Sequence, residues 1–162
     1  MKKLFIIRHA KSDQRFFGND FERPLNERGK QDAPMMAKRL QDKTDKIDAL
    51  VSSPAVRAKK TAELFAENLN LRKEDIHFIS ALYHAPAAVF YEEIAALPDT
   101  LHSVAVFAHN PGITYFVNSL NTKSQVNNMP TCAIFAVSAD IEHWAGFAKA
   151  GKTFLFFDHP KK

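Results

Sequence analysis

Apolar residues along the chain fall into two rhythms. Residues 4–7, 49–52, 76–80 and 104–108 are short, nearly unbroken apolar runs of the kind that become strands buried on both faces. Between them the apolar positions recur at helical spacing. Asn26 predicts an N-cap for a helix over residues 27–42 that carries Met35, Met36 and Leu40, with a kink or a loose first half at Gly29 and Pro34. Ser53 as cap and Pro54 at the first position predict a second helix, carrying Val56, Ala58, Leu64, Phe65 and Leu69. Residues 87–97, and the stretch from His109-Asn110-Pro111 to about Leu120, read as two more helices. Residues 132–138 and 153–158 read as closing strands, a hairpin with Trp144 near its connection. Strands alternating with helices predict one α/β domain over residues 1–162, doubly wound, with a mainly parallel sheet and helices on both faces.

Composition narrows the picture. A chain of 162 residues, 46% apolar and 25% charged, can bury a full core. The net charge of +4 suits an anionic substrate but is too diffuse to imply nucleic acid or a membrane surface. The single cysteine, Cys132, excludes an internal disulfide, suits a reducing cytosol and reads as a small core residue. No apolar run approaches membrane-spanning length, and residues 4–7 are too few for the core of a signal peptide. The expected setting is cytoplasmic.

Chemistry concentrates where strands end. The first strand stops at Arg8-His9. The second runs into Ser52-Ser53-Pro54, with Arg57 in the first turn of the next helix. The fourth stops at His109-Asn110-Pro111-Gly112. In a doubly wound sheet, ligands sit beyond the carboxyl ends of the strands. A helical side chain leans toward its helix N-terminus, which points Arg57 back over the strand end. Two arginines and two histidines at one rim, near helix N-termini, fit a phosphoryl group held by guanidinium forks. No cluster has metal-ligand spacing, and Asp13 and Asp20 read as turn residues. Lys11, Arg15, Arg28 and Lys30 read as solvated charge that steers anions.

Four blocks, Arg8-His9-Ala10, residues 52–58 with Thr61-Ala62, His109-Asn110-Pro111-Gly112, and Glu22-Arg23-Pro24-Leu25, resemble the histidine phosphatase superfamily, whose fold is called phosphoglycerate mutase-like. The short length, Lys11-Ser12 and the Arg23 block are similar to its SixA branch, the phosphohistidine phosphatases. The resemblance implies that His9 is the nucleophile and forms a phosphohistidine that water cleaves. It implies that Arg8, Arg57 and His109 hold the phosphoryl oxygens, that Arg23 is a further phosphate-binding arginine, and that Asn110 joins the substrate-binding set. No cofactor and no metal are implied.

The chain departs from the wider superfamily at one place. Many members that cleave phosphate esters have a carboxylic acid in the loop after the third strand, where this chain has His84. An alkoxide leaving group needs a proton, whereas imidazole needs it less, so a phosphoramidate substrate is favoured with His84 as a candidate donor. Residues 80–103 leave no room for a lid domain, which favours an open site and a phosphorylated protein, such as a histidine phosphotransfer domain, over a small phosphorylated molecule. The competing readings are a general phosphomonoesterase or small-metabolite phosphatase, and a non-catalytic phosphate-binding module. Residues 12–25 form a long loop carrying Phe16, Phe17 and Phe21, which read as core anchors or, if exposed, as a surface for a partner.

Overall fold

A strand covered on both faces has no polar side to show. Three of the four apolar runs, those of residues 4–7, 49–52 and 104–108, accordingly lie inside the sheet, whereas the run at 76–80 falls at its edge with His77 and Phe78 exposed. The computed structural model describes residues 1–162. Its strands are β1 (Lys2–Arg8), β2 (Ala49–Ser52), β3 (His77–Phe78), β4 (Ser103–Ala108), β5 (Ile134–Ala139) and β6 (Lys152–Asp158). They lie in the order β3-β2-β4-β1-β5-β6. The pairs β1–β4, β2–β4 and β2–β3 are parallel, while β5 pairs antiparallel with both β1 and β6. The hairpin formed by β5 and β6 has Trp144 buried in its connection.

Alternation along β1 builds two cores. Phe5 and Ile7 point to the face covered by α1 (Glu27–Lys43) and α2 (Val56–Asn68), where Met36, Leu40 and Phe65 meet them. Leu4 and Ile6 point to the face covered by α3 (Ala87–Ala95) and α4 (Gly112–Ser119), against Phe90, Ile94, Ile113 and Phe116. The doubly wound, mainly parallel sheet expected from the sequence is the architecture found. Between β3 and β4 the chain holds one 3-10 turn (Ser80–Leu82) and α3, with no inserted lid. No helix is long and apolar enough to cross a membrane.

Four local differences have physical causes. Helix α1 runs unbroken through Gly29 and Pro34, because Asn26 caps it (Oδ1 accepts from Gly29 N, 2.8 Å) and its buried Met36, Ala37 and Leu40 anchor it to the sheet. Helix α2 starts at Val56, so Ser53 is not its cap. Ser53 N instead extends the sheet by donating to Phe107 O (3.0 Å), and Ser53 Oγ accepts from Ala55 N (3.2 Å). Strand β3 is only two residues long, since it is an edge whose sole partner, β2, offers it two registered positions. Strand β5 begins at Ile134 because Cys132 takes a left-handed backbone (φ 61°) and turns its N–H to both Arg8 O and His9 O.

Gly29 is where α1 meets the chain just after β1. An added Cβ would lie 2.1 Å from Lys11 O, the acceptor of the Asn26 N bond. In an open helix Gly→Ala gains about 1 kcal/mol. Here Gly29→Ala should lose about 1–3 kcal/mol through overpacking against rigid backbone. Urea denaturation reads the sign directly, and an unchanged or raised midpoint would show that the contact yields.

Candidate active site

Register sets the height of the rim. Arg8 lies opposite Ala108 and Ser52 opposite Phe107, so His9 and His109 follow at one level beyond adjacent parallel strands, with Ser53 one residue lower, level with Ala108. His9 N donates to Ala108 O (3.1 Å), and the His9 and His109 rings approach to 5.1 Å between centroids. Arg57 comes from the first turn of α2. Its position is fastened from behind: Thr61 Oγ1 donates to Arg57 O (2.7 Å) and accepts from Ala10 N (2.9 Å). His9, Arg57 and His109 are only 5%, 4% and 4% exposed.

Burial decides the protonation of the two imidazoles. His9 Nδ1 lies 2.8 Å from Ala10 O, and a carbonyl can only accept, so Nδ1 carries the proton and Nε2 keeps a bare lone pair. Desolvation pulls the His9 pKa well below 6.5, and His109, Arg8 and Arg57 add to it against the Ala10 bond. His109 is pushed down to about 3, first by burial and then by Arg57. Its Nε2 lies 2.8 Å from Ser53 Oγ. Arg8 donates from Nη1 to Met129 O (2.9 Å), and its pKa is lowered by burial, then by Arg57 and Arg23, the signature of converging guanidinium groups. Four buried side-chain nitrogens or oxygens in the protein have no hydrogen-bond partner, and three of them are Arg8 Nε, Arg57 Nε and His109 Nδ1.

An outer layer covers this group. Asp20 accepts from Arg57 Nη2 (2.8 Å) and Tyr83 OH (2.7 Å) at Oδ2, and from Arg23 Nη2 (2.8 Å) at Oδ1. Arg57 Nη1 also donates to Asp20 O (2.7 Å), and Arg23 Nη1 donates to Ser12 Oγ. Burial alone would raise the Asp20 pKa, but the bonds from Arg23, Tyr83 and Arg57 outweigh it and hold the carboxyl ionised, below the usual carboxylate range. The loop of residues 12–25, reading as bare turn chemistry around Asp20 in the sequence, is thus drawn across the arginines. Phe21 packs edge-on against Tyr83 (5.1 Å), while Phe17 is fully exposed.

Arg8, His9, Arg57 and His109 therefore meet, and Arg23 joins them through Asp20. His84 stands at the edge, with its ring against Tyr83 (4.0 Å) and Nε2 3.9 Å from Asp20 Oδ2. With Pro86, His109, Pro111 and Tyr115 it lines a groove of about 220 Å³. The Asn110 amide is engaged elsewhere: it donates to Asn128 Oδ1 (2.9 Å) and Met129 O (3.1 Å) and accepts from Thr114 Oγ1 (2.6 Å), tying α4 to the segment that receives Arg8. Asp20 and Tyr83 are the members that sequence reasoning missed. The one available signal was Asp20 standing three residues before Arg23. No group of three or more histidine, cysteine or acidic side chains is placed to hold a metal ion.

Comparison with known proteins sets this sheet, with its buried histidines and arginines at the carboxyl rim, beside the histidine phosphatases. The model of the histidine phosphatase superfamily (branch 1) matches residues 4–82, just under half of the chain, which is similar to that superfamily over this stretch. Among solved structures, a chain from Nakamurella multipartitia named for the phosphohistidine phosphatase SixA superposes with a TM-score of 0.87 at 22% identity, covering 99% of this chain and 97% of that one. Its counterpart from Agrobacterium tumefaciens gives 0.82 at 24% identity, covering 98% of each. The protein histidine phosphatase SixA complexed with tungstate gives 0.82 at 26% identity, covering 98% and 97%. No curated protein matches the chain in sequence.

The imidazoles make stability depend on pH. The unfolded chain takes up protons at histidine near 6.5, while folded His109 resists them to about 3 and folded His9 well below its ordinary value. The unfolded state binds more protons in that window, so this stability is present above pH 6.5 and lost as pH falls. Each histidine should contribute a slope of up to about 1.4 kcal/mol per pH unit. Denaturant titrations between pH 7 and 4.5 should show His109→Gln flattening the slope by about one proton. An unchanged slope would mean His109 is charged in the folded state.

Proposed function

We propose that the chain is a phosphohistidine phosphatase that carries the phosphoryl group through His9 and acts on phosphorylated protein. The observation that carries the reading is the group of buried nitrogens without partners at Arg8 Nε, Arg57 Nε and His109 Nδ1, set beside the bare Nε2 of His9. A buried donor without a partner costs about 1–3 kcal/mol. Two such donors, Arg8 Nε and Arg57 Nε, at one rim fit a ligand rich in acceptor oxygens. Ser53 Oγ, which accepts from Ala55 N, bonds His109 Nε2, and the other ring nitrogen, Nδ1, is left without a partner.

In the first step Nε2 of His9 attacks phosphorus, a nitrogen–phosphorus bond forms, and the bond to the leaving imidazole breaks with its electron pair. In the second step water attacks, the His9 bond breaks, and inorganic phosphate leaves. Arg8, Arg57, His109 and Arg23 hold the oxygens throughout, and positioning with charge stabilisation is most of what phosphoryl transfer needs. Asp20 is ionised by its three donors and so is no acid for the leaving group. His84, beside the groove, is the candidate donor. An open rim with no lid between β3 and β4 suits a phosphorylated side chain on another protein, and the single buried Cys132 suits a cytoplasmic setting.

His9→Ala should lower turnover at least about 10³-fold with the fold intact, and wild-type protein quenched in turnover should carry acid-labile, base-stable phosphate. Full activity in folded His9→Ala would remove the nucleophile. A phosphohistidine peptide should be cleaved faster than an aryl phosphate, and that faster than a phosphoserine peptide. His84→Ala should harm the serine ester most, because alkoxide departure depends on the acid. If kcat/KM for the serine ester equals that for phosphohistidine, a general phosphomonoesterase replaces this reading.

Arginines supply the positive charge that a metal supplies elsewhere. Turnover should therefore survive EDTA. A loss restored by one particular divalent ion would show that the site has been misread.

A further inference from the structure

We propose that Asp20 is a positioning residue of the phosphate site, holding the tip of the Arg57 guanidinium so that its side edge is left for phosphoryl oxygens. The inference rests on the phosphate-site reading above and concerns a residue outside the strand-end set.

A guanidinium presents its five N–H groups in one plane as two forks, one across both Nη atoms and one across Nε and the neighbouring Nη. In Arg57 the tip fork goes to a single residue. Nη1 donates to Asp20 O (2.7 Å) and Nη2 to Asp20 Oδ2 (2.8 Å). Nε, on the other fork, is buried without a partner in a side chain only 4% exposed, so solvent does not satisfy it. The occupied fork and the free one have different tasks.

Asp20 is itself held firmly enough to serve. Tyr83 OH donates to Oδ2 and Arg23 Nη2 to Oδ1, while the Asp20 carbonyl also accepts from Arg23 N (3.1 Å). The carboxylate also answers a charge problem. Arg8, Arg23 and Arg57 repel one another, which is seen in the lowered Arg8 pKa after burial is counted first. One negative charge between Arg57 and Arg23 lets the guanidinium groups converge and stay aligned before substrate arrives. An arginine ordered in advance loses no rotamer freedom on binding. The opposite role, a carboxylate that competes with the phosphoryl group for Arg57, predicts the opposite sign when Asp20 is removed.

Tungstate, an oxyanion, is the probe, and titration calorimetry of the intact chain reads its affinity without requiring turnover. Asp20→Ala should weaken binding about tenfold, with Asp20→Asn recovering part of the loss through its remaining carbonyl acceptor. Arg57→Lys keeps the charge but has no fork to hold, so in that background Asp20→Ala should change affinity less than about twofold. Tighter binding by Asp20→Ala, or the same loss with and without Arg57, would overturn the proposal. Absent tungstate binding by wild-type protein would instead sink the phosphate-site reading itself.

Discussion

Strand β4 pairs in parallel with β1 on one side and β2 on the other, and the height at which each strand stops governs everything built at the rim. Arg8 beside Ala108 and Ser52 beside Phe107 bring His9 and His109 level, with Ser53 one residue below them. A slip of one residue in either pairing would exchange the two faces of a strand, moving Phe5 and Ile7 into the other core. Because both faces are filled, the wrong register is expensive, and the site inherits its precision from packing far below it. The same covering by helices on both sides keeps water from the imidazoles, which is why burial is the largest cause of both lowered pKa values.

The site works against the fold that supports it. Two imidazoles are kept neutral, three buried nitrogens lack partners, and three guanidinium groups are gathered at one place. Each is unfavourable taken alone. They are tolerated because two apolar clusters, one on each face of the sheet, over-determine the strand positions. Asp20 and Met129 O then divide the arginines between them, one accepting from Arg57 and Arg23 and the other from Arg8.

Much of this was legible in the sequence, for identifiable reasons. Arg8, His9 and His109 stand out because they interrupt or end apolar runs, and Arg57 because it follows one by a single turn. Asn26 was readable as a cap because capping is local. Asp20 was not, since two of its partners, Arg57 and Tyr83, lie 37 and 63 residues away and no spacing rule links them. Ser53 misled for the opposite reason: the Ser-Pro pair has the local chemistry of a helix start, but tertiary bonds to Phe107 O and His109 take it into the sheet and the site. The late start of β5 depends likewise on Cys132 bonding to carbonyls at the end of β1.

Cys132 gives the molecule a chemical character of its own. Its N–H secures the carbonyls of Arg8 and His9, yet its thiol is fully enclosed and burial pushes its pKa far up. Thiolate, the form that peroxide and alkylating agents attack, is therefore scarce in the folded protein. Hydrolases that work through an exposed cysteine can be silenced by oxidants, but chemistry that runs through an imidazole has no such sulfur to lose. On the proposed reading, in which His9 carries the phosphoryl group, oxidants that silence thiol-dependent hydrolases would leave this site in service.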